Sequence, residues 1–160
     1  MKTILIATIL LCLSGVTTYT QTPPILGDGI LVEACGAKFT IPADVKEIKI
    51  RPFDSCVRGY RSNNIYLLLD ILGFRTPDAS WRQEFSREPD LKFSEIKLDG
   101  KRAEIISYKE SETSKTKKGY KYTSVLFIPD GHLELWAYLK NPDDLDSIIK
   151  IFKSVQFKLE

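Results

Sequence analysis

The side chains that could carry chemistry are few, and they do not converge on a reaction. The chain of 160 residues holds one histidine, His132. Acid–base catalysis needs a partner held within hydrogen-bond reach of the imidazole, and Pro129, which would face His132 across its turn, has no such group. His132 therefore reads as a solvated turn residue. Asp143, Asp144 and Asp146 are clustered as a hard cation would want, but they follow Asn141-Pro142, where carboxylates are expected at a helix start for capping and dipole reasons. A calcium loop would need a longer, glycine-bearing run of ligands. Lys115, Lys117 and Lys118 crown a long loop from Glu110 to Gly119, with Tyr120 and Tyr122 beside it. An exposed basic loop next to aromatics could contact an anionic lipid, glycan or protein; the simpler reading is that it is merely solvated. No Gly-x-Ser-x-Gly elbow, Ser-x-x-Lys motif or phosphate-cradling glycine loop occurs. No catalytic, cofactor-binding or metal residue is assigned, and no cofactor is expected. An enzyme would have to work through carboxylates, whose pairing a sequence does not show.

The cysteines say more about compartment than about catalysis. Lys2, the apolar run Ile4 to Leu13 and the small polar stretch Ser14 to Thr20 have the three parts of a secretory signal peptide, so residues 1–20 are expected to be a leader. The apolar run is too short to span a bilayer of about 30 Å, and no transmembrane span is expected. Lipidation of Cys12 is disfavoured because Leu11 stands where lipoprotein signals place a small residue. With the leader gone, Cys35 and Cys56 remain, and two exported cysteines most economically form one disulfide. Two buried thiols or half of a metal site are the alternatives, the second a poor one with a single histidine.

The formal net charge of +2 falls to about +1 without Lys2, which argues against nucleic acid as a partner. With 43% hydrophobic and 11% aromatic residues, the rest suits one compact domain with its own core. Residues 21–36, with Pro23, Pro24, Gly27 and Gly29, read as a flexible or extended lead-in, and residues 37–160 as the domain.

The elements that must position any site are mostly strands. Asp99-Gly100 and Asp130-Gly131 each stand between alternating apolar runs, the strongest short-range hairpin signal. A two-residue turn fixes register. Across Asp130-Gly131 it pairs Ile128 with Leu133, Leu126 with Leu135, Ser124 with Ala137 and Tyr122 with Leu139, an almost wholly apolar face. The opposite face pairs Phe127 with Glu134, Val125 with Trp136 and Thr123 with Tyr138, a mixed surface that a helix could partly cover. Across Asp99-Gly100, Ile96 pairs with Ala103 and Ser94 with Ile105. There Glu95 opposes Glu104 and Lys97 opposes Arg102, while the diagonals Glu95 to Arg102 and Lys97 to Glu104 attract.

Earlier in the chain, Lys38 to Ile41 alternates as a strand that Pro42 ends. Val45 to Ile50 is either a short strand or irregular. Ser55 to Ser62 and Ile65 to Leu72 read as a hairpin about Asn63-Asn64, with Tyr60 facing Leu67 and Cys56 facing Ile71. Thr76-Pro77-Asp78 opens a helix that ends by Pro89 and sets Trp81 and Phe85 on one face, to dock on the sheet. Asn141-Pro142-Asp143-Asp144 opens another, with Leu145, Ile148, Ile149 and Phe152 as its apolar stripe. Ser154 to Phe157 then resumes period two.

Three short stretches carry a family resemblance: Phe39-Thr40-Ile41-Pro42, Leu98-Asp99-Gly100-Lys101-Arg102-Ala103 and Ile151-Phe152-Lys153-Ser154-Val155-Gln156-Phe157. In these, and in the order of elements from Ala37 to Phe157, the chain resembles the PsbP-like family of photosystem PsbP subunits, Ran-release factors and exported bacterial proteins. The match departs after Pro42, where the family often has an aromatic residue and this chain has Ala43-Asp44-Val45. The resemblance implies an α+β fold, a central antiparallel sheet of about six to seven strands flanked by helices, and a periplasmic or secreted bacterial location. It brings no functional residues. The resulting expectation is an exported non-catalytic module that binds an unknown protein, an envelope component or a small hydrophobic ligand. The alternative is a carboxylate-dependent hydrolase of the cell envelope, with two carboxylates facing each other about 5 to 10 Å apart in a cleft. A concave apolar pocket would favour the small ligand.

Overall fold

The computed structural model describes residues 28–51, 56–71, 85–111, 119–129 and 133–157. Among these, 54% are in strands and 13% are helical. Two antiparallel sheets form, of three and seven strands. The smaller contains β1 (Ile30–Ala34), β2 (Ala37–Ile41) and β10 (Gln156–Phe157) in the order β1-β2-β10. The larger runs β3-β4-β5-β9-β8-β7-β6, from β3 (Lys46–Ile48), β4 (Arg58–Arg61) and β5 (Ile65–Ile71) to β6 (Lys92–Leu98), β7 (Lys101–Lys109), β8 (Tyr122–Ile128) and β9 (Leu133–Leu139). A 3-10 turn, Pro142–Asp144, leads into the short helix α1 (Leu145–Lys153).

This overturns the expected α+β arrangement of one sheet flanked by helices. The protein is mostly β, with two sheets and one short α-helix among the described residues. The last strand does not extend the central sheet. β10 pairs instead with β2, Gln156 opposite Lys38 and Phe157 opposite Ala37. Ile30–Ala34, within the stretch expected as a lead-in, pairs with β2 along its whole length. Its turn is Cys35-Gly36, with φ of 54° and 75°, the double left-handed geometry of a two-residue hairpin. Asp99-Gly100 has the same geometry, at 50° and 78°. The expected leader, the helix opening at Thr76 and Trp81 itself lie outside the described residues.

The local registers match those that the turns dictate. Tyr60 opposes Leu67, Ile96 opposes Ala103, and Tyr122 through Ile128 oppose Leu139 through Leu133. Alternation then sorts the large sheet into two faces. One carries Leu67, Leu69, Leu126, Ile128, Leu133, Leu135 and Leu139, packed with Ile148, Ile151 and Phe152 of α1 and with Ala37, Phe39 and Ile41 of β2. Both α1 and the small sheet therefore cover this face. Ser154 locks the two covers together: its hydroxyl accepts the Thr40 N–H at 2.8 Å and donates to the Ile151 carbonyl at 2.6 Å. The other face carries Ile106, Tyr108, Phe127 and Trp136, and Phe85 packs on it.

The Cys35–Cys56 disulfide, with Cα atoms 5.6 Å apart, ties the β1–β2 turn to the residue pair before β4. It thus crosses from the small sheet to the large one. Cys56 lies outside the β4–β5 ladder, so its expected pairing with Ile71 does not form.

Candidate functional site

On the aliphatic face, the rows of side chains across the strands change size toward one end of the sheet. Ile105, Leu126 and Leu135 make a row of large residues. The next row is Ser107, Ser124 and Ala137, all small. Beyond it come Lys109, Tyr122 and Leu139. Above this end, the 3-10 turn and the first residue of α1 stand over the sheet. A cavity of about 430 Å³ lies at this end, lined by Ser107 of the small row, by Lys109 and Tyr122 of the row beyond it, and by Pro142 and Leu145 of the turn and helix start.

Its walls differ in character. From β8 come Tyr122 and Thr123, from the 3-10 turn Pro142 and from the start of α1 Leu145; from the segment leading into β6 come Asp90 and Leu91. Lys92, Ser107, Tyr108 and Lys109 complete the β6–β7 side. Lys92 opposes Ser107 in register, and Lys109 lies one pleat further along the same face. The chain is brought to this position by the Lys109 N–H, which donates to the Pro89 carbonyl at 2.9 Å, and by Asp90 at φ 54°. The Ser107 and Ser124 hydroxyls share a buried hydrogen bond at 2.7 Å. Among the described residues Lys92 and Lys109 form no ion pair, whereas Lys38, Arg58 and Arg102 do.

The opposite face of the sheet holds the aromatic and acidic residues. Phe85 stacks on Tyr108 with centroids 5.2 Å apart, Trp136 stacks on Tyr138 at 6.3 Å, and Tyr66 meets both Tyr120 and Tyr138. Buried carboxylates here are hydrogen-bonded: the Trp136 indole N–H donates to Glu134 at 2.7 Å, and Arg102 to Glu104 at 2.6 Å. Arg102 also reaches Glu95 at 3.2 Å, the expected diagonal, while Glu104 is held by Arg102 and not by Lys97. Thr123 donates to Glu110. Burial pushes the Tyr138 hydroxyl up to about 12, with Glu110 adding repulsion, and pushes Tyr108 above the ordinary phenol range for the same two reasons. Asp70 and Glu134 are directly opposed across β5 and β9 on this face. The cavity on the other face carries one carboxylate in its described wall, Asp90.

Lys115, Lys117, Lys118, His132 and Cys12 lie outside the described residues. Tyr120 packs on the aromatic face against Tyr66 and Tyr138, whereas Tyr122 lines the cavity on the aliphatic face. Asp143, Asp144 and Asp146 do stand in the 3-10 turn and the first turn of α1, but neither Asn141 nor Asp144 makes a side-chain cap hydrogen bond. No group of three or more metal-capable side chains occurs among the described residues, and no helix among them is long and apolar enough to cross a membrane. Cys35 and Cys56 are joined as expected.

The cavity residues Lys92, Ser107, Lys109 and Leu145 were not legible as a set. One signal existed: Ser124 opposite Ala137 interrupts a face of large aliphatics. The loop from Glu110 to Gly119 is too long to fix how β7 pairs with β8, so Ser107 could not be placed beside them. No protein-family model matches the chain, and no curated protein matches it in sequence.

Proposed function

We propose that the protein is an exported, non-catalytic binding module that takes a small, largely apolar molecule in the cavity at the end of its large sheet. The single observation that supports this reading most is the cavity: about 430 Å³ lies within the range of about 300 to 1,000 Å³ typical of small-ligand sites. Export is supported by the leader-like pattern of residues 1–20 and by the Cys35–Cys56 bridge, since such bridges persist in oxidising compartments. The three short motifs shared with PsbP-like proteins support a distant relation to exported members of that family, although the two-sheet arrangement is not the one the resemblance implied. The hydrolase alternative draws no support from the cavity, whose described wall brings one carboxylate to where two would be needed.

A neutral apolar dye such as Nile red tests the reading. Titration of the full chain is expected to give a saturable, single-site rise in emission. Leu145→Trp, which fills the cavity from its roof, is expected to abolish that rise with the far-UV circular dichroism unchanged. Emission that climbs without saturating, or that survives Leu145→Trp in a folded protein, would sink the proposal.

A further inference from the structure

Resting on that reading of the cavity, we infer that its ligand is an apolar-bodied carboxylate of medium chain length, its head toward Lys92, Lys109 and Ser107 and its tail toward Tyr122, Pro142 and Leu145. The register supplies the asymmetry. Lys92, Ser107 and Lys109 share one face of the neighbouring strands β6 and β7, so the polar groups stand together on one side. The apolar groups Tyr122, Pro142 and Leu145 come from β8 and the turn into α1 on the other, with Thr123 beside them and Leu91 on the lysine side.

Charge selects an anion. Two ammonium groups and one carboxylate, Asp90, border the cavity, leaving one positive charge in excess, and neither lysine is in an ion pair among the described residues. A wholly apolar occupant would cover the lysines without giving them a partner, which costs free energy. A singly charged head meets the excess, and its exposed side remains open to water.

The hydroxyl pair adds direction. In the Ser107–Ser124 hydrogen bond one hydroxyl donates and the other keeps its own proton. Ser124 is fully buried, while Ser107 lines the cavity. With Ser124 donating, the Ser107 O–H is released toward the space and can donate to a carboxylate oxygen. Size agrees: at about 30 Å³ per water, the cavity holds on the order of a dozen water-sized groups, the scale of a medium-chain acid.

Calorimetric titration of the full chain with octanoate and with octan-1-ol tests the inference. Octanoate is expected to bind about fivefold more tightly at low ionic strength, the preference that two exposed charges can supply, and the preference should shrink in high salt. Exchanging both exposed lysines, Lys92→Gln with Lys109→Gln, should remove the preference, so that octanoate no longer binds more tightly than octanol. Equal binding of the two ligands to the unaltered protein, or a preference that survives the double exchange, overturns the carboxylate assignment while the cavity reading stands. Failure of both ligands to bind overturns the cavity reading itself.

Discussion

Through its middle strands the seven-stranded sheet is buried on both faces, yet the two are held by different physics. The face under α1 and the small sheet is aliphatic: Leu67, Leu69, Leu135 and Leu139 are fully covered, and its one buried polar pair is Ser107 with Ser124. The other face interleaves Tyr66, Tyr108, Trp136 and Tyr138 with Glu104, Thr123 and Glu134, every one at least largely buried and most of them satisfied by a neighbour on the same face. Aliphatic packing is sensitive to volume, and near neutral pH it has nothing to titrate. A buried aromatic and acidic face depends on each hydrogen bond, because a lost partner leaves a desolvated polar group. The same sheet therefore tolerates opposite kinds of change on its two sides, and the open space occurs on the aliphatic one, where side-chain size alone sets the shape.

The largest expected effect tests the aliphatic side. Phe152 of α1 is fully buried, so Phe152→Ala should cost about 3 to 5 kcal/mol by lost transfer energy and residual cavity, read as a lower urea midpoint. A loss under about 1 kcal/mol would mean that α1 is a loose cover and the face is not packed to density. Next comes the bridge that holds the small sheet over this face. Cys35→Ser is expected to cost about 3 kcal/mol by the loop-entropy account, and a reducing agent should produce the same shift in Tm. An unchanged Tm on reduction would show that the cover docks without its covalent tie.

A smaller effect belongs to the aromatic side. Trp136→Phe keeps a ring but removes the indole N–H that donates to buried Glu134, and should cost about 1 to 3 kcal/mol. If instead the substitution were neutral, the two faces would be less distinct than their hydrogen bonds imply.

The mildest test needs no substitution at neutral pH. Tyr138 on the aromatic face and Tyr60 on the aliphatic face are each pushed up to about 12, first by burial and then by a carboxylate, Glu110 for Tyr138 and Glu47 for Tyr60. A phenol carries charge only when deprotonated, so a raised pKa means the fold favours the neutral form. The stability contributed is complete below about pH 10, the unfolded value, and is lost as pH rises toward about 12. Phenolate absorbance at alkaline pH should show these rings titrating late, with the urea midpoint falling over the same window. Tyr138→Phe should remove part of that fall, and titration of every tyrosine near its ordinary value would contradict the burial of both.

Much of the large sheet could be read from short stretches. Asn63-Asn64, Asp99-Gly100 and Asp130-Gly131 announced three hairpins, and the observed pairs Tyr60–Leu67, Leu98–Lys101 and Ile128–Leu133 have the registers expected from them. The stripe of Leu145, Ile148, Ile149 and Phe152 announced α1, which packs by that side. Cys35-Gly36 was a fourth turn of the same kind. It went unread because prolines and glycines upstream made Ile30 to Ala34 look like a tether. The candidate site was hardly legible: the basic loop and its two tyrosines suggested one patch, and residues two apart in a strand would share a face, but Tyr120 precedes β8 and packs on the aromatic side while Tyr122, the first residue of β8, lines the cavity.

The order of residues along the chain settled whatever closes locally. A two-residue turn costs little loop entropy, and once it forms, side-chain alternation leaves one register that buries the leucines. Which distant segments meet was decided only in three dimensions. β10 joins β2 and β5 joins β9 across more than 60 residues of chain, pairings that no local turn specifies. The cavity belongs to that second kind of outcome, since its walls come from the segment before β6, from β6, β7 and β8, and from the start of a helix more than 20 residues further along the chain.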